Sequence, residues 1–90
     1  MAAPTALTFA LVVVETNIVG RLRDIHSVPA AAEMLLFQWL YEGRGAAYRT
    51  ALRSCLAALE GKATGAIARD TFIAAAQESG VFVREADWRP

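Results

Sequence analysis

The residues of this chain whose types and spacing could do chemistry are few. Arg69 stands first. It precedes Phe72 and Ile73 by three and four positions and Ala76 by seven, so helical spacing points it toward an apolar side. A guanidinium there must meet carboxylates or carbonyls, or reach out to water. Its ordinary role is a structural ion pair; its sharper role is a seat for a small anion or ligand. Cys55 lies mid-stripe in a helical segment, where a thiol normally acts as a small hydrophobe. A nucleophilic thiol needs a base beside it, and His26 is the chain's one histidine. A lone histidine with no second histidine and no carboxylate at useful spacing makes a poor metal ligand. Arg21 and Arg23 alternate on one strand face and could meet phosphates. No aromatic interleaving supports a single-strand platform there. Gly43-Arg44-Gly45 before a helix could seat an anion, but its plainer reading is an interhelix turn.

Composition narrows these options. Nine basic residues balance nine acidic ones, which argues against nucleic-acid binding as the main role. One cysteine excludes an intrachain disulfide and a zinc site built on cysteine spacing. The apolar run Ala6–Val14 is too short to span a bilayer, and no Lys or Arg precedes it as in a signal peptide. A bacterial-type cytoplasmic setting is the expectation. At 90 residues the chain is one domain that buries roughly 60–65% of its unfolded surface. It is 56% hydrophobic with mean hydropathy +0.33, high for so small a domain, which suggests that a partner covers some apolar surface.

The elements that must position these residues follow from periodicity and punctuation. Leu7–Glu15 is rich in β-branched residues and reads as a strand with neither face clearly wet. Thr16-Asn17 is a turn signal, with Asn able to take φ > 0, and Ile18–Ile25 is the return strand, with Gly20 as a bulge. Ser27 offers a cap to a first helix over about Pro29–Tyr41. A second helix spans about Ala46–Glu60, with Tyr48, Leu52, Cys55 and Leu59 as its stripe and Ala51 and Leu56 beside it. Gly61 closes it. Thr64 caps a third helix over about Gly65–Ser79, which buries Ala68, Phe72, Ile73, Ala75 and Ala76 and ends at Gly80. Val81–Val83 is a short last strand that joins the hairpin. The expected fold is α+β: a three-stranded antiparallel sheet with three helices packed on one face, order ββαααβ. The ordered part is about 6–84, with loose ends at 1–5 and 86–90, the latter carrying Trp88.

The first helix departs from the pattern of a surface helix. Ala31, Leu35 and Trp39, with Ala32 and Leu36, make a core face. Met34, Phe37, Leu40 and Tyr41 make a second apolar side. Either the sheet and second helix sandwich this helix, or those four residues form an interface, most often a twofold homodimer.

At this point the residues resemble a known bacterial family, domain of unknown function 982. The resemblance covers about Phe9 to Val83. It rests on Arg21-Leu22-Arg23 in the second strand and on a helix started by Ser27 with Trp39 near its end. Two further runs carry it: Tyr48, Ala51, Cys55, Ala58, Leu59 and Gly61, then Ala68, Arg69, Phe72, Ile73, Ala75 and Ala76. Two positions depart from the family pattern. Ala30 replaces the acidic residue that would complete the serine cap, leaving a half-made capping box. Leu40 replaces a proline after the tryptophan, so the first helix is expected to run longer. The resemblance implies the fold and a cytoplasmic setting, and no reaction, cofactor or ligand.

The expectation for function is a small non-enzymatic protein-interaction module, homodimeric through the first helix, with no catalytic or metal residues and no cofactor. The alternatives are a small-anion or ligand-binding domain using Arg69, or a nucleic-acid-associated regulator using Arg21 and Arg23.

Overall fold

The computed structural model describes residues 7–40, 42 and 44–86. The expected Tyr41 contribution and the Trp88 tail lie outside the described residues. The order is β1 (Thr8–Glu15), β2 (Leu22–Ser27), α1 (Val28–Phe37), α2 (Ala46–Leu59), α3 (Gly65–Ser79) and β3 (Phe82–Glu85). The strands form one antiparallel sheet in the order β2-β1-β3, so the apolar β1 is central. This is the α+β arrangement expected from the sequence.

The centre of the sheet explains why neither face of β1 looked wet. Val12 and Val14 enter the main core with Ile25 of β2, while Val13 between them is buried outside that cluster. Opposite Val13 stand Asp24 and Arg84, one on each neighbouring strand. Two register shifts bend the sheet. One falls between Thr8 and Val12 against β2; the other makes Val83 an extra residue opposite Val13/Val14. Ala86, expected in the loose tail, is tied down: its N–H donates to the Leu11 carbonyl at 2.8 Å.

The hairpin differs from the expectation. β2 begins at Leu22 and runs to Ser27, because Ile18–Arg21 form a turn. The Arg21 N–H donates to the Ile18 carbonyl at 3.0 Å, and Gly20 sits at φ +81° in the third turn position. Gly20 is therefore the turn glycine and not a bulge. Asn17 keeps negative φ, since no described non-glycine residue has a positive one.

The helices obey their local signals at most ends. Ser27 caps α1 by accepting the Ala30 N–H, and Thr64 caps α3 by accepting the Ile67 N–H. Gly61 and Gly80 take φ +79° and +75° after α2 and α3. The Lys62 and Val81 N–H groups then reach back to Ala57 and Ala76, the six-to-one bond of a Schellman ending. The N-cap of α2 is Gly45, with no capping side chain of its own. Glu78, at the far end of α3, supplies a carboxylate to the Ala47 N–H at 3.4 Å.

α1 ends earlier than expected. The Gln38 carbonyl accepts the Asn17 N–H at 2.9 Å, leaving it to the hairpin and not to a further helical turn. Trp39 then swings into the core, 5.6 Å from the Phe72 ring edge-on and 6.0 Å from Tyr48. The Tyr48 hydroxyl donates to the Leu35 carbonyl at 2.7 Å, locking α2 onto α1. α1 and α3 pack on the sheet, and α2 packs chiefly on those two helices.

Candidate functional site

The guanidinium of Arg69 is fixed from α3 onto the sheet. Nε donates to the Ala10 carbonyl at 2.9 Å. Nη2 donates to Glu85 Oε1 at 2.9 Å and to the Ala86 carbonyl at 3.3 Å. Helical spacing sends the side chain toward the sheet, and the register shifts bring Ala10 of β1 and Glu85 of β3 to meet it. Its partners are two carbonyls and a carboxylate, all acceptors. The groove beside it, about 450 Å³ and bordered by Thr8, Phe9, Arg69 and Glu85, therefore holds a guanidinium whose charge Glu85 already matches. Chemically this is a clamp joining α3 to two strands.

That clamp has a measurable consequence. Arg69→Met leaves the Ala10 and Ala86 carbonyls without this donor, and the expected loss is about 1–3 kcal/mol in urea unfolding. Most of it comes from the carbonyls, because Glu85 is partly exposed and its ion pair is screened. Arg69→Lys cannot reproduce the forked geometry and should recover only part of the loss.

Arg23 and Arg21 do not act together. Arg23 shares the helix-facing side of β2 with Ile25 and reaches α1, donating through Nη2 to Glu33 and through Nη1 to the Gln38 side chain. Arg21 lies in the exposed turn before the strand. One of the two cations that could have met phosphate is thus already matched to an acid.

Cys55 and His26 are not brought together. Cys55 is fully buried in the core, whereas His26 follows Ile25 and projects from the opposite, exposed side of β2. Burial pushes the Cys55 thiol from 9.0 up to about 11, the reverse of nucleophile activation. The thiol is expected to resist disulfide reagents at neutral pH until the chain unfolds. The sign of its pH effect also follows. Between about pH 9 and 11 the unfolded chain has lost this proton while the folded chain keeps it, so ionisation favours unfolding. The stability of wild type relative to Cys55→Ala should therefore fall as pH rises through that window.

Gly43 of the Gly-Arg-Gly turn lies outside the described residues. Arg44 turns inward, its guanidinium 5.3 Å from the Tyr48 ring centre and Nη2 at 3.5 Å from the Trp39 carbonyl. Among the described residues no cluster of three or more His, Cys, Asp or Glu could hold a metal ion. No described helix is long and apolar enough to cross a membrane.

Of the four residues expected to form one apolar side of α1, the three that are described separate. Met34 is 0% exposed and belongs to the core. Phe37 is 72% exposed and Leu40 is also open to solvent. Leu36, expected in the core, is exposed instead. The cause is a rotated buried arc: α1 packs against β2, α2 and α3 together, which draws in Met34 and turns Leu36 out. At the same end of the molecule, the Asn17–Gln38 backbone bond holds the hairpin turn, whose Val19 is 93% exposed and Ile18 half so. The sequence reading placed these two in a strand. The signal available was two β-branched residues immediately before Gly20, where a turn tip is usually polar.

Fold and surface together define a small α+β domain of order ββαααβ, with exposed apolar residues at the end of α1 and the hairpin turn and others on α2 and α3. The chain belongs to the family described as Protein of unknown function (DUF982), whose model matches residues 11–83. No curated protein and no solved structure matches it.

Proposed function

We propose that this protein is a small non-enzymatic interaction module, acting in the cytoplasm, that self-associates through the exposed end of α1 and the adjoining hairpin turn. The observation that carries the reading is Phe37, a large aromatic left mostly in water beside Leu36, Leu40, Ile18 and Val19. All five are exposed large hydrophobics, and exposed apolar residues gathered on one surface mark an interaction site. A moderate affinity, about micromolar, is the expectation.

The two alternatives draw less support. An anion at Arg69 would compete with Glu85 for a guanidinium that already has three acceptors. Phosphate contact through Arg23 would cost its bonds to Glu33 and Gln38.

The test is solution mass by light scattering across a hundredfold dilution around micromolar concentration. A mass that falls from dimer to monomer in that range supports the reading. A monomer at every concentration rejects self-association.

A further inference from the structure

We draw no further inference here: the strongest candidate, the groove beside Phe37 at the end of α1, is rimmed by Arg23 and Glu33, which are already paired within one copy, and nothing in the structure shows what covers it.

Discussion

Trp39→Ala is expected to remove about half of the chain's folding stability. Among the described residues Trp39 is the largest fully buried side chain, and it bridges the Phe72 ring of α3 and the Tyr48 ring of α2. It also lies just past α1, where the chain leaves the helix to bring the indole inward. Its removal takes away the transfer energy of a tryptophan, two ring contacts and the filling of a cavity at the meeting point of three helices. Such truncations cost about 3–5 kcal/mol. A domain of this size holds about 5–10 kcal/mol in all. The cost is therefore about half of the whole stability, and so small a core has little capacity to collapse around the void. Trp39→Phe keeps an aromatic ring and should lose distinctly less. Urea unfolding followed by far-ultraviolet circular dichroism measures both. A Trp39→Ala protein as stable as wild type would mean that the indole does not organise the core.

Phe37→Glu is expected to do the opposite: abolish self-association and leave the fold intact. Phe37 makes its contacts in solvent and is absent from the buried core. A carboxylate at that position costs the monomer little, but in the dimer it would be desolvated at the centre of an apolar contact. Loss of a central aromatic anchor alone is typically worth 2 kcal/mol or more. With the buried charge added, the dissociation constant should rise at least about a hundredfold. Sedimentation velocity of wild type and variant side by side, across micromolar concentrations, reads whether the proposed self-association is present and then lost. Met34→Glu is the contrasting variant. Met34 lies three residues earlier on the same helix but is fully enclosed, so an acid there should unfold the chain. If Phe37→Glu also unfolds, the exposed end of α1 is part of the core. If it folds and still dimerises, the interface lies elsewhere.

Much of this architecture was legible in short-range sequence signals. α3 runs over the span expected for it, and α2 ends within one residue, because Thr64, Gly61 and Gly80 act through bonds to neighbours a few residues away. The single-sided periodicity of α2 identified Tyr48, Ala51 and Cys55 as buried, but it also placed Leu56 and Leu59 on that side; both are exposed, and Ala58 is buried in their place. The continuous apolarity of β1 marked a strand with neither face wet, and Val12, Val13 and Val14 are all buried; its central place came only from strand pairing.

α1 was the element where such signals ran out. Nearly all its residues are apolar, so periodicity could not say which arc faces inward. Met34 and Leu36 are equally acceptable to a hydrophobic core; contact with β2, α2 and α3 decided between them. Its end was also set from a distance, by the Asn17 N–H taking the Gln38 carbonyl.

The candidate site divides along the same line. That Arg69 points toward an apolar side, and that Cys55 is core, follow from helical spacing alone. That Arg69 meets Ala10, Glu85 and Ala86, and Arg23 meets Glu33 and Gln38, depends on strand register and on bulges that alter it. By itself the sequence determined the elements, their order and the balance of charge, because capping, periodicity and composition act locally or in sum. Only the tertiary structure decided which apolar residues remain in water and which cations are already matched, because those outcomes depend on contacts between residues far apart in the chain.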